Sequence, residues 1–268
     1  MFDLALAAGL GLAFLVALGA SGQLQFVVGE LHGPIRRGVA LTLLWIVLVL
    51  CVFFPTVSPG AAAEVDPRTI TFISIFTGQV ILAGFLLGWW LLAQPLPLAR
   101  FLCLERGWSV DDVRFGLGVG AVAWILAISA SAVVALVLVA LGYNPTPEAE
   151  GLAAPLEVPT ILMWLTDMPV WRKLVVVAVA MTVEEAFFRA FLQMRVGWLL
   201  SSALFALSHG GYGMPTLTAA VFVVSLAIGW ALRARGNLLP CIIAHGIFDA
   251  VQLLVVMPLA IEHLREIT

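Results

Sequence analysis

Residues 115–141 read FGLGVGAVAWILAISASAVVALVLVAL, an unbroken stretch with no ionisable side chain. A helix rises about 1.5 Å per residue, and about 20 apolar residues cross the hydrocarbon of a bilayer. The stretch is therefore long enough to span a membrane. It shows no period-2 alternation, which a barrel strand would require. It reads as a transmembrane α-helix.

The rest of the chain extends that reading. Of 268 residues, 62% are hydrophobic and 11% charged, and mean hydropathy is +1.10. A soluble domain is about 45–50% apolar and about 25% charged, so a water-soluble enzyme is excluded. The ample apolar surface excludes a disordered chain as well. Apolar runs occur at about 4–21, 39–57, 69–93, 115–141, 174–196, 199–208, 217–231 and 238–259. Eight spans consume roughly 160 residues, which fits the length. The expected fold is all-α: a polytopic membrane protein of about eight transmembrane helices, with the run at 199–208 short. The start, Met1-Phe2-Asp3-Leu4, lacks the basic region of a signal peptide, so the first run is read as a retained span. Residues 1–114 are expected to form about three N-terminal spans and a connection. Residues 115–268 are expected to form the catalytic transmembrane core.

Charge says which side each loop occupies. Net charge is −3 with no basic block, which argues against a nucleic-acid partner. Arg36, Arg37, Arg100, Arg106, Arg114, Arg195, Arg233 and Arg235 fall in loops that alternate to one side. Arginine in short loops marks the cytoplasmic side. Glu64, Asp66, Glu148, Glu150, Glu157, Asp167, Glu262 and Glu266 fall in the opposite loops, with Arg68, Arg172, Lys173 and Arg265 as exceptions. Both termini are then expected outside the cytoplasm. Lys173 is the only lysine, a bias that suggests a GC-rich bacterial genome and a bacterial cytoplasmic membrane. Cys51, Cys103 and Cys241 lie far apart without CxxC spacing, so neither a disulfide framework nor a zinc site is expected.

Some connections carry local signals. Ser109 with Asp112 three residues on is an N-cap signature. Gly116, Gly118 and Gly120 follow no strand, so they read as close helix packing and not as a dinucleotide fingerprint. Trp164 and Trp171 read as headgroup anchors.

Ionisable side chains within a span are expensive and mark function. They concentrate in three segments: Glu184, Glu185 and Arg189; then His209, four residues after Phe205; then His245 and Asp249, four apart. Residues at i and i+4 share a helix face. Glu185 can therefore pair with Arg189, and Asp249 can orient His245. Glu184 sits about 100° round the helix from Glu185, free to meet His209 and His245 from neighbouring helices. A glutamate beside imidazoles suits general-base activation of water, with donors to stabilise an oxyanion. Gly210, Gly211 and Gly213 after His209 read as a turn, with a gate as the alternative. Two other chemistries fit the same residue types. Two histidines and a glutamate are legal zinc ligands, although HExxH is absent and Arg189 would repel a dication. A transporter also buries such groups, although no inverted repeat is visible.

In order and spacing these segments resemble the signature of the CPBP family (CAAX proteases and bacteriocin-processing enzymes, also called ABI). That signature is EExxxR, then FxxxH, then HxxxN or HxxxD. The resemblance covers roughly residues 115–257, and the first three spans carry no part of it. It implies a metal-independent, glutamate-dependent intramembrane endopeptidase with no cofactor. It implies that Glu184 activates water, that His209 holds that water, and that His245 with Asp249 stabilises the oxyanion. Glu185, Arg189 and Phe205 are then supporting residues. The aspartate departs from the asparagine found in some relatives: an ionised carboxylate cannot donate to an oxyanion, so Asp249 either orients a donating His245 or is itself protonated in its apolar setting. The implied substrate is a membrane-anchored or lipidated protein cut near its C-terminus. Some bacterial relatives of the myxosortase type remove C-terminal sorting anchors, eukaryotic ones trim prenylated CAAX proteins, and others are tied to bacteriocin immunity. The expected side of His209 favours the first.

Overall fold

A computed structural model describes residues 2–58, 66, 69–142 and 160–267. Helix is the only regular secondary structure among the described residues. Six helices are long and apolar enough to cross a membrane: α1 (Phe2–Ala20), α2 (Pro34–Val57), α3 (Ser74–Leu92), α4 (Val110–Ala140), α7 (Pro215–Arg235) and α8 (Leu239–His263). The other two expected runs are also helical. Between α4 and α7, α5 covers 170–196 without a break, and α6 is Trp198–Ser208. α5 carries Glu184, Glu185, Arg189 and Arg195, and α6 has only 11 residues. Charge in the one and shortness in the other set them apart from the six. Glu64, Arg68, Glu148, Glu150 and Glu157 lie outside the described residues, as do the side chains of Arg265 and Glu266.

The arginine-rich ends gather on one side. Arg36 at the start of α2 donates to the carbonyl of Leu92 at the end of α3 (3.3 Å). Arg235 at the end of α7 grips Asp112 at the start of α4 (2.8 Å). Leu238, just before α8, donates its backbone N–H to the Cys103 carbonyl (3.0 Å). Arg195 at the end of α5 pairs with Glu30, between α1 and α2, and its guanidinium lies 4.1 Å from the Phe191 ring centroid. Acidic partners make two of these ties, Asp112 and Glu30, and backbone carbonyls the other two. Ser109 caps α4 as expected, its Oγ accepting from the Asp112 N–H (3.1 Å).

α5 is the central helix, and the reason is local. Its middle, Ala186–Gln193, is wound as a π-helix, and all eight of its residues are buried. A stretch buried on every side, with Arg189 and Gln193 among its apolar residues, must be enclosed by other helices. Phe187, Phe188 and Phe191 meet Phe85 and Trp89 of α3 and Phe205 of α6, with ring centroids 4.8–5.8 Å apart. α4, by contrast, turns Ile125, Ile128, Val133 and Leu136 outward, as a lipid-facing helix does. It meets α8 through glycine. A Cβ on Gly120 would stand 2.2 Å from Ile247 Cγ2, and one on Gly116 would stand 2.8 Å from the Pro240 carbonyl. Only a residue without Cβ permits that approach.

Candidate active site

The three motif segments converge. α5, α6 and α8 bring Glu185, Arg189, Phe205 and His245 into contact. Arg189 Nε donates to Glu185 Oε2 (3.0 Å), the i, i+4 pair expected from spacing. His245 Nδ1 lies 2.8 Å from Glu185 Oε1, a contact across 60 residues of sequence. Glu185 is thus held at both oxygens, with Glu185 and Arg189 wholly buried. Arg189 Nη2 also donates to Ser225 of α7 (2.9 Å). The Phe205 ring is the wedge between them. Its centroid is 5.2 Å from the Arg189 guanidinium, 5.7 Å from the His245 ring and 4.8 Å from the His209 ring.

Glu184 faces elsewhere. Rotated about 100° from its neighbour, it points to α3, where Gln79 Nε2 donates to its Oε1 (3.0 Å). Among the described residues this is its one hydrogen bond, and Glu184 is half-buried. The expected counterparts, His209 and His245, do not bond it directly. The buried histidine goes to Glu185 instead, because Glu185 is the glutamate that faces α8. His245 still lies within electrostatic reach of both Glu184 and His209.

His209 is fixed by its own backbone. Its Nδ1 lies 2.9 Å from the Phe205 carbonyl, which can only accept, so Nδ1 carries the proton and Nε2 is left as an acceptor. His245 Nε2 lies 3.4 Å from Asp249 Oδ2. With Glu185 closer, at Nδ1, Glu185 is the main orienting carboxylate for His245, a role the i, i+4 spacing gave to Asp249. After His209, Gly210–Tyr212 forms a 3₁₀ turn and Gly213 is left-handed (φ 68°), so the glycines make a turn.

Depth is shared. Measured along each helix from its arginine-rich end at about 1.5 Å per residue, Gln79, Glu184, His209 and Asp249 all lie roughly 15–20 Å in. That is about the middle of a hydrocarbon core of about 30 Å. α6 therefore stops at mid-depth, and His209 stands at its tip. Beside that tip runs an open apolar cavity of about 620 Å³ lined by Leu207, Gly210, Met214, Thr218 and Phe222 among others. Among the described residues, no group of three or more His, Cys, Asp or Glu side chains is placed to hold a metal ion.

Sequence reasoning missed Gln79, Ser225 and Thr56. Thr56 on α2 donates to the Leu207 carbonyl (2.8 Å) and buttresses the turn after His209. Each is an uncharged polar residue in an apolar run, a faint signal beside the charged ones.

Residues 166–251 match a family model, Rce1-like, described as type II CAAX prenyl endopeptidase Rce1-like. The match spans about a third of the chain and holds all seven motif residues. No curated protein and no solved structure matches the chain. The fold is that of a multi-pass membrane protein, and its segment 166–251 is similar to the type II CAAX prenyl endopeptidases. That likeness is consistent with the CPBP resemblance carried by the motif residues.

Proposed function

We propose that the protein is a glutamate-dependent intramembrane endopeptidase in which Glu184 is the general base. The observation that carries the reading is the division of labour between two adjacent glutamates. Glu185 is sealed and saturated by Arg189 and His245, whereas Glu184 is half-buried, with one oxygen unengaged among the described residues. A base must reach the proton that it removes, and Glu184 is the glutamate able to do so.

The reaction then runs in two steps. Glu184 takes a proton from a water held by the free Nε2 of His209, and the oxygen of that water bonds to the scissile carbonyl carbon. The carbonyl electrons move onto oxygen, where a proton on the Nε2 of His245 stabilises the oxyanion. Asp249, 3.4 Å from that nitrogen, holds the proton in place. Glu184 next passes its proton to the amide nitrogen, the C–N bond breaks, and acid and amine leave. Glu185 and Arg189 support this arrangement by fixing His245 and balancing its charge. No metal and no cofactor enters.

The substrate in this reading is a membrane-anchored or lipidated protein cut near its C-terminus. The mid-membrane depth of the glutamate and the open apolar cavity beside His209 support an apolar substrate segment. Removal of a C-terminal sorting anchor fits an opening on the side away from the arginines, with both termini outside the cytoplasm of a bacterial cell.

The test is proteolysis in liposomes of membrane-anchored C-terminal peptides from the host. Wild type, Glu184→Gln and His209→Ala are compared. Cleavage by wild type, with losses of roughly 10²-fold or more in both variants, is the expected result. Undiminished cleavage by Glu184→Gln would overturn the assignment.

A further inference from the structure

Gln79 lies on α3, far in sequence from the matched segment 166–251. It is an amide in an otherwise apolar stretch, Val80 to Gly88 following it without a polar side chain. An amide at mid-membrane depth is costly unless it is bonded. Its Nε2 is bonded, to Glu184 Oε1 at 3.0 Å. Ionised, as a general base must be at the start of the reaction, Glu184 only accepts, so the amide turns its Nε2 toward it. The other end of the same amide, Gln79 Oε1, is buried with no hydrogen-bond partner among the described residues. The two amide heteroatoms lie only about 2.3 Å apart by standard covalent geometry, so this orphan acceptor stands beside the carboxylate as well. Buried polar groups without partners are rare and concentrate where strain or function requires them.

We infer that Gln79 is a positioning residue for Glu184, supplied to the site by a helix outside the matched segment. The inference rests on the glutamate reading. Held at Oε1, the carboxylate is fixed in orientation with Oε2 left to meet a water. The orphan Oε1 of Gln79 is the acceptor for a donor arriving with the reaction, water or substrate N–H. The orphan oxygen is a feature shared with Gln193, which ties α5 to the Gly229 carbonyl and leaves its own Oε1 without a partner among the described residues; what sets Gln79 apart is that its tie is to Glu184.

Two measurements on the full-length protein test this, each on Gln79→Met and Gln79→Leu, which keep bulk and remove both polar atoms. The first is the kcat and KM for a cleaved peptide. The expected result is a loss in kcat of roughly tenfold, the worth of one hydrogen bond, with KM changed less than twofold. The second is infrared difference spectroscopy. The carboxyl band that disappears in Glu184→Gln is expected to shift in frequency in the Gln79 variants. An unshifted band, or an unchanged kcat, overturns the inference, as does a loss confined to KM. If Glu184→Gln cleaves as well as wild type, the glutamate reading fails, and the infrared arm still decides whether Gln79 holds Glu184. Should one variant misfold, the other carries both measurements.

Discussion

Glu185 Oε1 and His245 Nδ1 lie 2.8 Å apart in a fully buried setting, and the same carboxylate binds Arg189 through its other oxygen. This places a carboxylate between two cationic or cationisable groups at the centre of the bundle. Removing one partner of a buried ion pair costs more than the pair contributes, because a charge is left without compensation.

Glu185→Ala should therefore be a folding defect first. It strands Arg189 and His245 together, and the expected loss is about 3–5 kcal/mol. Glu184→Gln should leave stability near wild type, since the amide is isosteric and still offers an oxygen to accept from Gln79. Thermal unfolding in detergent of the two variants checks this. Equal destabilisation would remove the distinction between the two glutamates.

Much of this site is legible in the sequence. Charged residues stand out in a chain of this hydropathy, and i, i+4 spacing alone points to the Glu185–Arg189 pair. Which glutamate meets which histidine is not legible there. That depends on the rotation of α5 against α8, and the π-helical stretch Ala186–Gln193 begins just after Glu185. Gln79 and Ser225 escape for another reason: a lone amide or hydroxyl in an apolar run has no spacing to recognise. The fold is easier. All eight apolar runs form helices, since apolar length dictates helix in lipid. The mid-depth end of α6, by contrast, follows from how that helix seats against its neighbours, which apolar length does not encode.

Asp249 and His245 should tolerate different changes. His245 Nε2 faces Asp249 at 3.4 Å, and an asparagine there still presents an acceptor oxygen and adds a donor. Asp249→Asn is expected to retain activity within about tenfold. Asp249→Leu is expected to lose about 10²-fold or more, the scale of one oxyanion-hole donor. Steady-state kcat for both variants is the measurement. Equal losses would mean that the negative charge itself is required.

Chelation gives a third expectation. No described cluster of three ligand-type side chains is placed to bind a metal, and the proposed water activation uses only Glu184 and His209. Cleavage by purified protein should persist after prolonged exposure to a strong chelator. Loss of activity that zinc restores would assign the reaction to a metal instead.

The packing of α4 on α8 provides the last test, away from the chemistry. α8 carries His245 and Asp249, and its seat on α4 depends on Gly116 and Gly120. A methyl on Gly120 would meet Ile247 Cγ2 at 2.2 Å and the Ala244 carbonyl at 2.9 Å. Ile247 can rotate away, but the Ala244 backbone cannot. Gly120→Ala should therefore push α8 outward, costing about 1–3 kcal/mol as overpacking does. The shift bears directly on His245, the residue after Ala244, so kcat should fall together with unfolding temperature. Gly118→Ala is the control, because a Cβ there meets nothing within 4 Å. It should gain helix propensity and leave both quantities at or above wild type. If Gly120→Ala and Gly118→Ala behave alike, the glycine contact is not what seats α8.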